Sequence, residues 1–296
     1  MNSRVLSSIL KHLKSMPTFD QIGIKRYRTL LEVSARAFKL DKDIKLQPVK
    51  INGIEGERII PNDISSNKTI LFLHGGGFVA GSINSHRDLC SRIAKASNAE
   101  VLIINYRLAP EHPYPAGLED ALTVYKWLLN NQLLPGQIAL AGDSAGGGLT
   151  LALLAKIKDL GLPMPCAAVF FSPWIDLENK NKSIVDNEDI DPMLNKRMLD
   201  QTAKLYSNKQ DITNPFLSPI RNDLTGLCPI LIHVGENEVL LDDSLLLEKK
   251  AKDAGVKTTI EVFDNMFHVF QYFARYLPIA RESIEKAGEF IQKDTH

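Results

Sequence analysis

The chain has 296 residues, with 35 Lys and Arg against 35 Asp and Glu and 44% hydrophobic residues. A polyanion-binding protein usually carries a basic excess, so this balance points away from nucleic acid and from an anionic lipid surface. The apolar content is too high for a disordered chain, and no apolar run reaches the roughly 18 residues that a membrane-spanning helix needs.

Val5, Leu6, Ile9, Leu10, Leu13 and Met16 recur at helical spacing, interrupted by Lys11 and Lys14. The start of the chain therefore reads as an amphipathic helix and lacks the unbroken apolar core of a leader peptide. Lys45 to Asn62 alternates around an Asn52–Gly56 turn, which predicts two antiparallel strands. Short Val/Ile/Leu runs then predict strands at 69–74, 100–106, 137–142, 167–172, 229–234 and 258–263. Between them, helical patterns fall at 86–97, 117–130, 145–158 and 243–254, with a last helix at 279–292. That alternation predicts an α/β fold: a mostly parallel, doubly wound sheet covered on both faces. The interval 176–225 breaks the rhythm with a polar loop, and Asp191-Pro192 then reads as the N-cap and first residue of a helix carrying Met193, Leu194, Met198, Leu199 and Leu205. Such an insertion is expected to lie over the carboxyl edge of the sheet, where α/β proteins bind ligands. Cys90, Cys166 and Cys228 are widely spaced and form no CxxC, which reads as thiols of a reducing compartment and an intracellular, cytoplasmic protein.

Chemistry concentrates in a few places. Gly142-Asp143-Ser144-Ala145-Gly146 follows one strand and opens a helix. A serine hydroxyl is a poor nucleophile unless a tight strand-to-helix turn exposes it beside a base, and flanking glycines permit that turn. His74-Gly75-Gly76-Gly77-Phe78 follows an earlier strand, and successive glycines let backbone N–H groups face a developing oxyanion. Gly75, Gly77 and Ala80 also fit a dinucleotide fingerprint, with Arg107 placed for a 2′-phosphate, but no helix is expected to start at these glycines. Of the seven histidines, His233 lies inside an apolar strand, whereas His268 sits in a loop after a late strand and after the serine, where a base can reach back over the sheet. The acid that orients it is sought after the strand ending in Gly235; Glu238 lies in that loop and is the choice, with Asp242 in reserve. Asp242 and Asp243 read as caps of the next helix.

Taken together, HGGGF at 74–78, YRLAPEHPYPA at 106–116, GDSAGGG at 142–148, SPWIDL at 172–177 and MFHVF at 266–270 resemble the hormone-sensitive-lipase-like branch of the α/β-hydrolase fold. The resemblance spans roughly residues 70 to 275. It implies Ser144 as nucleophile, His268 as base, and the amides of Gly75, Gly76 and Ala145 as the oxyanion hole, with Gly77 as a further candidate. The family's usual acid, an aspartate, falls here on Glu238. The implied architecture is a catalytic domain over 46–296 with antiparallel N-terminal strands. Segments 1–45 and about 177–225 would form a helical cap over it. The implied activity is that of a serine carboxylesterase acting on small esters of short to medium acyl chains, without metal or organic cofactor. An amide, acetyl or thioester hydrolase with the same residues is the alternative, and a non-catalytic ligand receptor on this fold a more remote one. Dimers are common in the family, and the strand before the last helix offers an edge on which two copies could pair.

Overall fold

The computed structural model describes residues 3–36, 40 and 42–293, so His296 lies outside the described residues. Among the described residues eight strands, numbered β1 to β8 along the chain, form one sheet in the order β1-β2-β4-β3-β5-β6-β7-β8. Strands β1 (Ile44–Ile51) and β2 (Ile54–Pro61) form an antiparallel hairpin, and β2 runs antiparallel to β4 (Glu100–Ile104). From β4 onward the sheet is parallel, through β3 (Thr69–Leu73), β5 (Ile138–Asp143), β6 (Ala167–Phe171), β7 (Ile230–Gly235) and β8 (Thr258–Phe263). The central strands are apolar throughout because both faces are covered. Leu71, Leu140, Phe170 and Ile232 pack into one layer, while Ile70, Phe72, Val169 and Phe171 pack into the other. Helices α4 (Ile83–Ala96), α5 (Ala116–Asn130), α6 (Ala145–Asp159), α9 (Leu241–Asp253) and α10 (Pro278–Gln292) provide the cover.

Two further groups of helices stand apart from this alternation. Helices α1 (Ser3–Ser15), α2 (Phe19–Ile22) and α3 (Ile24–Ala35) precede the sheet, and α7 (Ser183–Asp186) and α8 (Lys196–Ser207) belong to the insertion after β6. The insertion's long helix begins later than Asp191-Pro192 suggests. Asn195 is its N-cap, accepting from the Met198 N–H, while the Asp191 carboxylate takes the N–H groups of Met193 and Leu194 in a separate turn. In the same way α4 starts at Ile83, ahead of the expected His86, because Ser82 and Ser85 cap it reciprocally.

Candidate active site

The turn from β5 into α6 presents Ser144 with φ 53° and ψ −124°, a conformation costing about 1–3 kcal/mol that only a rigid surround maintains. That surround is visible: the Ser144 N–H donates to Phe171 O (2.9 Å), and its carbonyl accepts from Trp174 N (2.9 Å) and Gly148 N (3.2 Å). The helix enters so close to β3 that a Cβ on Gly146 would lie 2.0 Å from Leu73 O, so only glycine fits there.

After β7 the chain turns through Gly235 and buries Glu238 completely. Glu238 Oε2 meets His268 Nδ1 at 2.8 Å, while Oε1 accepts from Ser172 Oγ (2.8 Å) and from Gly235 N (2.5 Å). A carboxylate can only accept, so Nδ1 carries the proton and Nε2 is left as the basic nitrogen. Burial disfavours the His268 imidazolium, but the hydrogen bond and charge of Glu238, with the charges of Asp191 and Asp143, outweigh it and raise the imidazole above its ordinary value. Ser172 also receives the Val269 N–H (3.2 Å), tying the acid loop to the base loop. Asp242 faces elsewhere, taking the Ser183 N–H at 2.8 Å, and so has no part in the Glu238–His268 pair. Asp243 likewise reaches the insertion, accepting from Ile175 N (2.9 Å) and from Asn181 (2.5 Å). Neither aspartate caps α9, which starts at Leu241 after Leu240.

The glycine loop after β3 departs from expectation at one residue. The Gly75 N–H donates to Asp143 Oδ1 (2.9 Å) and lies near His86 Nε2 (3.1 Å), so it is already engaged inside the protein. Gly76 and Gly77 are the two glycines of this loop that line the cavity beside Ser144 and His268. Ala145 opens α6, where backbone N–H groups have no partner within the helix. Behind the loop, Asp143 is 2% exposed and is approached by His86 Nε2 and the Tyr272 hydroxyl (both contacts 3.3 Å). Burial would raise its carboxyl, but the charge and hydrogen bond of His86, the Gly75 N–H and His74 hold it below the usual range. His74 stacks on Tyr106 at 4.2 Å, and burial beside His86 pushes it down to about 3. His233 hydrogen-bonds Ser283 (2.9 Å) within the core, as its strand position suggests.

The dinucleotide alternative does not hold. Arg107 is bound to Asp120 through its backbone N–H and its guanidinium (both 2.8 Å), and the helix after the glycines is capped by Ser82.

Ser144 and His268 open on one cavity of about 240 Å³. Leu13, Phe19 and Leu31 wall it from the N-terminal helices, and Met193, Leu194 and Met198 from the insertion. The sequence does not single out Ser172 or the Asp143–His86 pair, and it offers Asp191 only as a helix cap; the bonds of Ser172 to Glu238, of Asp143 to His86 and of Asp191 to Val239 each span dozens of residues.

Comparison with known proteins agrees with this architecture. A family model described as the alpha/beta hydrolase fold matches residues 70–272. An acetyl-hydrolase of Streptomyces hygroscopicus is 43% identical over 228 residues, 77% of this chain and 76% of the relative. An esterase of Acinetobacter venetianus is 34% identical over 285 residues, covering 96% of this chain and 93% of its own. The crystal structure of an esterase from the bacterial hormone-sensitive lipase family superposes with a TM-score of 0.94 at 40% identity, covering 100% of both chains. This chain therefore belongs to the α/β-hydrolase family, in its hormone-sensitive-lipase-like branch.

Proposed function

We propose that the protein is a carboxylic ester hydrolase in which Ser144 is the nucleophile, His268 the general base and Glu238 the acid that orients it. The observation that carries this reading is the fully buried Glu238–His268 hydrogen bond of 2.8 Å on the same cavity as a strained serine elbow. Ser144 Oγ attacks the ester carbonyl as His268 Nε2 takes its proton, and Glu238 stabilises the imidazolium formed. The amides of Gly76, Gly77 and Ala145 receive the oxyanion; the Gly75 N–H supports them from behind by donating to Asp143. His268 then protonates the leaving alcohol, and a water activated by the same imidazole releases the acyl group.

The apolar cavity suits esters of short to medium acyl chains. The name of the Streptomyces relative favours acetyl esters among them, and an acetyl amide is the second reading to test. In this reading segments 1–45 and 177–225 act as the cap of a catalytic domain spanning 46–296. Two copies pair along the β8 edge, where Val262 is 40% exposed, and the protein works in the cytoplasm. No helix among the described residues is long and apolar enough to cross a membrane.

Hydrolysis of nitrophenyl esters from acetate to dodecanoate, with wild type beside Ser144→Ala, tests the assignment. The expected loss in kcat/KM is at least about a thousandfold. Full activity in the alanine variant would remove Ser144 from the mechanism. Nitrophenyl acetate against nitroacetanilide separates ester from amide preference.

A further inference from the structure

The insertion after β6 grips the loop that carries Glu238. Ser183 Oγ donates to Val239 O (2.7 Å), and Asn187 Nδ2 donates to Glu238 O (2.9 Å) and Glu236 O (3.2 Å). The third grip is Asp191, whose Oδ2 accepts the Val239 N–H at 3.0 Å. Its Oδ1 accepts from Met193 N (2.8 Å) and Leu194 N (3.0 Å), the two residues that wall the cavity immediately after it. One carboxylate thus joins the cavity wall to the residue following the catalytic acid.

A neutral side chain could brace this loop, as Ser183 and Asn187 do. Asp191 is instead an acid, only 7% exposed, and no Lys or Arg pairs with it among the described residues. A buried carboxylate without a cation is costly, so its charge calls for an account of its own. Burial pushes the Asp191 carboxyl up, opposed by the charge of His268 and by its three N–H donors. The charges acting on His268 are those of Glu238, Asp191 and Asp143.

We propose that Asp191 is a positioning residue for ester hydrolysis: it locks the Met193–Leu194 wall to the Glu238 loop and supplies a second negative charge acting on the imidazolium that forms on His268. This rests on the reading of Ser144, His268 and Glu238 as the catalytic set. Asp191 touches no reacting atom. It acts by holding Glu238 in register and by favouring the protonated state of the base during attack.

The test is a pH profile of kcat/KM on nitrophenyl acetate for wild type, Asp191→Asn and Asn187→Ala. Without the Asp191 charge His268 is less basic, so the acidic limb of Asp191→Asn moves to lower pH while kcat falls by about five- to tenfold. Asn187→Ala loosens the same loop without removing a charge, so its limb stays at the wild-type pH. An Asp191→Asn limb at the wild-type pH, or an equal shift in both variants, overturns the electrostatic role. If Asp191→Asn is not recovered folded, Asp191→Glu and Asp191→Gln, of equal bulk, decide: the Glu variant has the higher kcat and the higher limb, and equal values overturn the proposal. Phenylmethylsulfonyl fluoride labelling of Ser144 keeps the two readings apart. A wild type that neither labels nor hydrolyses ester defeats the catalytic assignment. A wild type that does both, matched by Asp191→Asn, defeats only the role of Asp191.

Discussion

Between Gly142 and Ser144 stands Asp143, whose carboxylate leaves the elbow and reaches the loop after β3. It takes the Gly75 N–H, and a Cβ on Gly75 would lie 2.3 Å from its Oδ2, so the two residues are fitted to one another. The pairing fixes the peptide that leads into Gly76 and Gly77, and their amides are useful only if they are preorganised before charge develops. Asp143→Ala leaves the Gly75 N–H with only the His86 ring and strands the Tyr272 hydroxyl in a buried site. The expected result is a fall in kcat of about ten- to a hundredfold with KM within about twofold, because the loss is felt in the transition state. Steady-state kinetics on nitrophenyl butyrate check it, and a rise in KM with unchanged kcat would contradict it. Ser144 and His268 were legible in the sequence because each sits in a short local pattern at a strand end. The use of the Gly75 amide was not, since it depends on a side chain 68 residues away. Glu238 and Asp242 could be ranked but not separated from the sequence, since only their directions in space distinguish them.

Among the elements, the expected strands match β3 to β8 to within two residues at either end, because their apolar runs are bounded by sharp turn signals. The insertion was harder to read, since its ends are fixed by contacts with the loop after β7. Asp243, in the first turn of α9, adds three more: fully buried, it accepts from Ile175 N (2.9 Å), Asp176 N (3.3 Å) and Asn181 (2.5 Å). Burial pushes its carboxyl up to about 7 despite these donors. A carboxyl raised in the folded state stabilises the fold at low pH, and that contribution is lost as pH rises from its ordinary 3.8 through about 7. Other groups titrate over this range, so the informative quantity is a difference between two proteins. Asp243→Asn retains a carbonyl for Ile175 N and cannot ionise. Its Tm is therefore expected to gain on wild type as pH rises from about 5 to 8. Thermal melts at four pH values check this, and a constant difference would show that the folded Asp243 carboxyl is already ionised below that window.

At the scale of the whole molecule, the cavity exists because two segments distant in sequence meet over one sheet edge. The N-terminal contribution is fastened by Arg28 on α3, whose Nε donates to Val79 O (2.6 Å) and whose Nη2 donates to Ala109 O (2.8 Å). The same guanidinium grips both oxygens of Glu111, at 3.0 Å and 2.8 Å, which gives the acid of the YRLAPEHPYPA segment a docking use. Glu111 is 57% exposed, so the ion pair itself contributes little, and the two backbone carbonyls carry the attachment. Beside this anchor α3 presents Tyr27 and Leu31 to the cavity as part of its apolar wall. Arg28→Met keeps the apolar stem and removes every donor. Loosening α3 then leaves the elbow and the Glu238–His268 pair intact while blurring the apolar wall that a longer chain uses. KM for nitrophenyl octanoate is expected to rise by about three- to tenfold, against less than about twofold for the acetate, with kcat nearly unchanged for both. Equal rises for the two esters would place the N-terminal helices outside substrate recognition, and a fall in kcat on acetate would mean that Arg28 also supports the glycine loop through Val79.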